Sequence, residues 1–183
     1  MEMKIYKGRP ENTEGRLQKE IKAYDLLDSL DIEYIRIDHQ PTATIEACLE
    51  VEKLLGTKIC KNLFLTTANK AHFYLYFVQG DKKFKTAYVS KQAGCSRLSF
   101  AGEDYLEKFL DLTPGSVTVL GLMNDKENNV NLLIDEDVLK EEYVGMHPCI
   151  NTSSIRIKTK DLTEKLLPSM GHNYTLIKSN KEV

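Results

Sequence analysis

Apolar and polar positions alternate along this chain with two different periods, and the changes of period mark its elements. Leu17, Ile21, Tyr24, Leu27 and Leu30 recur at three- and four-residue spacing. That spacing predicts an amphipathic helix, with Asn12 or Thr13 as its N-cap. Residues 34–37 alternate with period two, as a half-buried strand does. A second helical stripe opens at Thr44, runs through Ala47, Val51 and Leu54, and ends at Gly56. Residues 63–65 and 73–78 read as adjacent strands, with Ala68-Asn69-Lys70 as the hairpin turn between them. The stretch 81–85 is polar and lysine-rich, and helical patterning resumes over residues 103–110. Pro114-Gly115 predicts a turn before a strand over 116–120, and Asn124-Asp125 with Asn128-Asn129 a turn before a strand over 130–134. Residues 154–157 alternate, a short helix runs from Thr159 toward Leu167, and a strand over 174–177 closes the pattern. Helices and strands are interspersed and several strand pairs are hairpin-connected. The expectation is an α/β (α+β) fold over residues 1–183 as a single domain, a mixed curved β-sheet with helices packed on it.

Composition narrows the function classes. The chain has 183 residues, 42% hydrophobic and 28% charged, an ordinary globular balance and enough to bury a core. Lys plus Arg is 25 and Asp plus Glu is 27, a formal charge of -2, which excludes a wholesale basic coat for nucleic acid but not a local patch. No run approaches the ~20 apolar residues of a membrane span. Residues 1–10 are mixed and polar, without the apolar region of a secretory signal. Cysteines 48, 60, 95 and 149 have no C-x-x-C spacing, so free thiols in a reducing, cytoplasmic setting are expected.

Most of the familiar chemical signatures are missing. There is no G-x-G-x-x-G, Walker A, H-E-x-x-H or G-x-S-x-G, and histidines 39, 72, 147 and 172 are dispersed. Neither a metal nor a cofactor is therefore expected. Two segments stand out. Lys61 and Asn62 enter an apolar strand, where a lysine is either a solvated edge residue or a cation aimed into a cleft, suited to a phosphate or a carbonyl. Residues 143–152 crowd Gly145, Met146, His147, Pro148, Asn151 and Thr152 into a short apolar context. His147 there is either a proton donor and acceptor near neutral pH or a hydrogen-bonded turn residue. Cys149 offers a thiol with His147 as base, or simply a small core residue. The run Lys82, Lys83 and Lys85 is either a solvated loop or the flank of a cleft that takes a polyanion.

An ordered set of segments resembles the YbaK/prolyl-tRNA-synthetase-associated-domain family of aminoacyl-tRNA editing proteins. It comprises His39-Gln40-Pro41, then Lys61-Asn62-Leu63-Phe64-Leu65, Arg97-Leu98-Ser99-Phe100-Ala101 and Pro114-Gly115-Ser116-Val117-Thr118. Gly121-Leu122, Asn124-Asp125, Gly145-Met146-His147-Pro148 with Asn151-Thr152, and Gly171-His172 complete it. The set is most similar to the freestanding alanyl-tRNA(Pro) deacylase branch. That resemblance implies a compact α/β domain around a curved mixed sheet. It also implies hydrolysis of the ester joining a wrong amino acid to the tRNA 3′ end, without a metal. Lys61 matches the family's essential lysine, which holds the backbone of the terminal adenosine. The loop around His147, with Gly145, Met146 and Asn151, matches a wall of the amino-acid pocket, and Asn62 stands beside the lysine.

Residues 115–119 match a loop that usually reads G-x-x-x-P, but position 119 is Val here. Backbone N–H groups near Gly115 and Gly145 are expected at the oxyanion, Ser116 among the substrate-binding residues, and Ile45, Leu63 and Met146 at the alanine side chain. The implied partners are tRNA(Pro) charged with alanine and prolyl-tRNA synthetase, with a monomer as the acting unit and no membrane. The alternatives are the same reaction on a Cys, Ser or Thr cargo, a non-catalytic tRNA- or synthetase-binding module, and a thiol hydrolase built on Cys149.

Overall fold

Two sheets divide the strands between them. The computed structural model describes residues 3–41 and 45–178. Its first sheet is antiparallel and joins β1 (Ile5–Lys7), β2 (Ile35–Asp38), β8 (Ser153–Lys158) and β7 (Tyr143–Met146), in that order. The second runs in the order β5 (Leu98–Phe100), β3 (Cys60–Thr67), β4 (Phe73–Gln79), β6 (Val130–Asp135) and β9 (Tyr174–Ile177). It is mixed: β5, β3 and β4 pair antiparallel, while β6 and β9 add on parallel. The expected mixed sheet with packed helices is thus present, accompanied by a second sheet. A single parallel bridge, Ile59 to Gly145, joins the two.

Burial on both faces explains why β4 reads as a continuous apolar run and β6 as one interrupted only by Asn131. Phe73, Leu75 and Phe77 of β4, with Val130, Leu132 and Ile134 of β6, face the large core between the sheets. Val144, Met146, Ile155 and Ile157 of the first sheet reach that core from the other side. Tyr74, Tyr76, Val78 and Leu133 face a second cluster beneath α3 (Thr86–Ala93). The helix α1 (Gln18–Ser29) inserts Ala23, Tyr24 and Leu27 into the large core, and α4 (Glu103–Leu110) inserts Leu106 and Leu110. A third cluster joins Val51 and Leu55 of α2 (Ile45–Leu55) to Ile37 of β2. Among the described residues no helix is long and apolar enough to cross a membrane.

Two local expectations change. Neither Asn12 nor Thr13 caps α1. Asn12 accepts the Glu14 N–H at 2.8 Å in a local turn, Gly15 turns the chain at a φ of +77°, and the helix begins after Leu17. Leu17 therefore stays exposed at the stripe's end. Residues 116–120 are not a strand. A 3-10 helix occupies Val119–Asn124, with the Thr118 hydroxyl accepting the Leu120 N–H. Its apolar residues bury themselves under α4 instead of pairing, which alternation cannot distinguish. The start of the second helix, predicted at Thr44, lies outside the described residues. The hairpin turn at 68–70 is as expected, with the Thr67 hydroxyl bonded to the Asn69 side chain and Lys70 at a φ of 55°.

Gly145 is what lets the sheets meet. A Cβ there would lie 2.8 Å from the Lys58 carbonyl oxygen and 3.2 Å from the Ile59 Cα, both backbone atoms that cannot swing aside. Gly145→Ala is expected to force β7 away from β3 and cost ~1–3 kcal/mol, the range for overpacking a tight site. Urea denaturation of the variant measures it, and an unchanged midpoint would contradict the contact.

Candidate functional site

The backbone of β3 changes partner along the side turned away from β4. Thr67 donates to His72 on the β4 side. Lys58 accepts from Gly145 at 3.3 Å, and Phe64 accepts from Ala101 at 3.0 Å, both on the opposite side. In an extended strand these directions alternate, so even-numbered residues turn their backbone groups away from β4. At residues 58 and 59 that edge is covered by β7, and from residue 65 onward by β5. Between them lies Asn62, whose N–H and C=O point to the side of β3 away from β4. One more step of the parallel ladder would bring Lys61 level with His147. The ladder does not take that step, and beyond it Cys149 adopts a φ of +63°. The two segments singled out in the sequence therefore diverge from one junction.

Lys61 is half-buried on the face of β3 shared with Leu63 and Leu65. Its ammonium donates to the Lys82 carbonyl oxygen at 2.6 Å and lies 5.3 Å from the Phe84 ring centre. Burial lowers its pKa, and the nearby Asp81 carboxylate opposes that shift. Asn62 belongs to the opposite face, and its buried Oδ1 accepts no hydrogen bond among the described residues. Leu63 packs at the margin of the cluster under α3. Only the backbone of Ile45 is described, so its side chain lies outside the described residues.

His147 sits in a chain of hydrogen bonds whose direction can be assigned. The His39 Nδ1 lies 2.7 Å from the Gln40 carbonyl, which only accepts, so that nitrogen carries the proton. The His39 Nε2 then accepts from the Ser154 hydroxyl at 2.8 Å. The Ser154 oxygen in turn lies 3.3 Å from His147 Nδ1, which also donates to the Ser153 carbonyl at 2.9 Å. This leaves His147 Nε2 as the lone-pair nitrogen. Burial lowers the His147 pKa from its ordinary 6.5, the Ser153 hydrogen bond opposes this, and His39 lowers it further. The ring is neutral at neutral pH.

The remaining expected residues divide between a cleft and the core. Ser116, Asn151, Thr113 and Thr152 line a cleft of about 500 Å³ beside the start of α1, together with Arg16, Lys19 and Asp38. Gly115 holds a φ of +85°, and a Cβ there would approach the Asn151 side-chain amide at 3.7 Å. Thr152 connects this cleft to the histidines, since its carbonyl accepts the His39 N–H at 3.0 Å and Ser153 and Ser154 follow it. Met146 is fully buried between the sheets.

Two expected roles are corrected by hydrogen bonds already made. The Gly145 N–H is given to Lys58 and the Ser116 N–H to Thr113 at 3.1 Å, so neither is available for an oxyanion. The Lys82 ammonium is likewise held by Asp135 at 2.6 Å and Asp137 at 2.7 Å, and does not serve a polyanion; Lys83 and Lys85 are exposed.

Cys149 is a poor nucleophile, because it is buried and burial pushes its thiol up to about 12. Cys149→Ala is expected to keep the wild-type rate of ester hydrolysis; abolished activity in a folded variant would restore the thiol mechanism. No cluster of three or more His, Cys, Asp or Glu suited to a metal ion occurs among the described residues. The sequence reading missed His39 and Ser154 as partners of His147. His39 was visible as part of His39-Gln40-Pro41, but only the β2–β8 register, Ile37 against Ser154, carries the serine to it.

With this geometry in view, comparison with known proteins is specific. Residues 39–165 match the model of the aminoacyl-tRNA editing domain. The chain is 34% identical over 151 residues to the prolyl-tRNA editing protein ProX of Acetoanaerobium sticklandii, covering 82% of this chain and 92% of that protein. It is 29% identical to prolyl-tRNA synthetase associated domain-containing protein 1 of Danio rerio, over 80% of this chain and 79% of that protein. A crystal structure described as a candidate trans-editing enzyme for prolyl tRNA synthetase shares the fold. Its TM-score is 0.65 at 16% identity, covering 90% of this chain and 99% of that one.

Proposed function

The chain belongs to the aminoacyl-tRNA editing domain family, and on that premise we propose that it is a trans-editing hydrolase that removes alanine from mischarged tRNA(Pro). The reading takes residues 1–183 as one editing domain working as a monomer in the cytoplasm, alone or alongside prolyl-tRNA synthetase. The observation that carries it is the half-buried Lys61 ammonium on β3, two residues past the bridge that joins this strand to the segment of His147, whose pKa burial lowers. That cation suits the phosphate of the terminal adenosine. Water adds to the ester carbonyl, the carbonyl–oxygen bond to the ribose breaks, and free alanine and a tRNA 3′-hydroxyl leave. The His147 Nε2 lone pair accepts a hydrogen bond from the reacting group, and the aminoacyl ester, already activated, needs positioning more than a strong nucleophile.

The reaction has a selective rationale. A synthetase pocket shaped for proline rejects smaller alanine only weakly, since each lost methylene is worth ~1–3 kcal/mol. A smaller second site hydrolyses what fits and keeps proline out by size. The acidic overall charge is compatible with RNA, because gripping one 3′ end neutralises few phosphates. With Lys82 paired to carboxylates and Lys58 to Asp81 at 2.6 Å, the footprint is smaller still, and a shallow salt dependence follows.

The test is a deacylation panel of tRNA(Pro) carrying alanine or proline and of tRNAs carrying Cys, Ser or Thr. Release of alanine with proline spared is the expected result. Faster release of another cargo would replace the substrate, and binding without release would make the protein a non-catalytic module.

A further inference from the structure

The loop that touches Lys61 is anchored more firmly than its lysine-rich sequence suggests. An ammonium has three N–H donors, and Lys61 spends one on the Lys82 carbonyl at 2.6 Å while the Phe84 ring covers another flank. The Lys82 side chain turns away from Lys61 and is clamped by Asp135 at 2.6 Å and Asp137 at 2.7 Å. Asp135 is 1% exposed. Its other carboxylate oxygen takes the Tyr76 hydroxyl at 2.9 Å, and the one that meets Lys82 also caps the short helix α5 (Glu136–Lys140) by accepting the Asp137 N–H at 3.0 Å. The Tyr76 ring meets Phe84 edge-on at 6.0 Å. Both contacts of Lys61 are therefore tied, through separate routes, to the middle of β4 and the end of β6.

We propose that Lys82 and Phe84 are positioning residues for Lys61: the Lys82–Asp135 ion pair pins the loop, its carbonyl and the Phe84 ring aim the Lys61 ammonium, and the side of the ammonium left uncovered faces an anionic ligand such as a phosphate oxygen. A buried ion pair adds little to stability compared with apolar packing, and fixing one geometry is its best-attested use. A free lysine carries a long flexible stem and loses that freedom on binding. A stem held at its tip has lost it beforehand, which is preorganisation. Burial beneath the loop lowers the ammonium's proton affinity, so its titration reports how far the loop covers it. The proposal rests on Lys61 acting in the reaction above, but the aiming is measurable without catalysis.

The experiment uses the full chain with isotope-labelled lysine side chains, the Lys61 resonance being assigned by its loss in Lys61→Arg. Phe84→Leu, Lys82→Met and Lys82→Arg are compared with wild type for Lys61 titration, side-chain order, thermal midpoint, and kcat and KM on alanyl-tRNA(Pro). In Phe84→Leu and Lys82→Met the Lys61 titration is expected to move up toward that of exposed lysines and its order to fall. Their kcat should drop ~10-fold or more, in line with the cost of a small misplacement of a catalytic group. Lys82→Arg, which keeps a cation against Asp135, should restore most of both readouts. Unchanged Lys61 titration and order in Phe84→Leu would overturn the aiming role, as would a kcat loss in Lys82→Arg as deep as in Lys82→Met. If Lys82→Met does not fold, Phe84→Leu decides alone, since it leaves the ion pair intact. Wild-type activity in Lys61→Ala would sink the catalytic reading while the Lys61 resonance still judged the aiming.

Discussion

Lys61→Ala is expected to slow deacylation of alanyl-tRNA(Pro) by at least ~100-fold, the scale on which a single preorganised charge stabiliser acts. The variant should fold as well as wild type or slightly better. Lys61 is half-buried, its burial disfavours the charged form, and its hydrogen bond is to a loop carbonyl and not to a buried carboxylate. Single-turnover rates on charged tRNA(Pro), read beside the thermal midpoint, separate the two effects. Lys61→Arg should recover only part of the rate, because a planar guanidinium cannot reproduce a compact ammonium on the Lys82 carbonyl. A wild-type rate in the alanine variant would remove Lys61 from the mechanism.

Asp38→Ala is expected to destabilise the protein by ~3–5 kcal/mol, the cost of leaving a buried charge without its partner. Arg36 is 3% exposed, and its guanidinium donates to Asp38, which also receives Arg16 at 2.7 Å. The Gly8 carbonyl at 3.3 Å and the Tyr6 ring at 4.6 Å are neutral and do not replace the carboxylate. Burial of Asp38 by itself would raise its pKa. The hydrogen bonds from Arg16 and Arg36 outweigh that and hold it down at about 2, below its ordinary 3.8. A carboxylate with a depressed folded pKa lends stability that is complete above its unfolded pKa and lost as the pH falls through the folded one. Wild type should therefore lose stability between about pH 4 and pH 2, and Asp38→Ala should lose correspondingly less over that window. Urea midpoints across the range measure both, and equal acid sensitivity in the two proteins would contradict the assignment. Because Asp38 also lines the cleft and precedes His39, some loss of activity is expected to accompany the loss of stability.

The elements read from periodicity were those whose burial is set by one or two strong neighbours. Helix α4 has its observed ends at Glu103 and Leu110, as the spacing predicts, because one apolar stripe packs on the core. Strand β4 announces itself by an unbroken apolar run and β6 by one broken only at Asn131, since both faces of each are largely covered. Elements without such a signature were missed. Helix α3 follows a lysine-rich loop and buries Val89 and Ser90 as its only fully covered residues, and β1 has three exposed residues and forms only by pairing with β2. The apolar segment 116–120 misled for the opposite reason: its burial is real, but it is achieved by a tight helical turn.

Among site residues, Lys61, Asn62 and His147 were legible because their residue types are out of place in apolar surroundings, and a resemblance of motifs attached a chemistry to them. Their relation was not legible. The Lys61 and His147 segments lie far apart in the sequence, and a backbone bridge between Ile59 and Gly145 brings them to one junction, from which they diverge. Gly145 illustrates the difference. Its backbone N–H was expected at the oxyanion of a substrate, whereas what its missing side chain permits is the approach of one strand to another.

The sequence by itself determined the alternation of helices and strands, the apolar core, the acidic charge balance and the residue types available for chemistry. Those follow from local periodicity and composition, which act within a few residues. Only the tertiary structure decided which polar groups remain available. Lys82 is consumed by Asp135, the Gly145 N–H by Lys58, and the Ser154 hydroxyl is turned between two histidines. The physical reason is that hydrogen bonds and ion pairs are short-ranged and saturable, so a group's capacity for chemistry depends on neighbours that the fold brings from far along the chain.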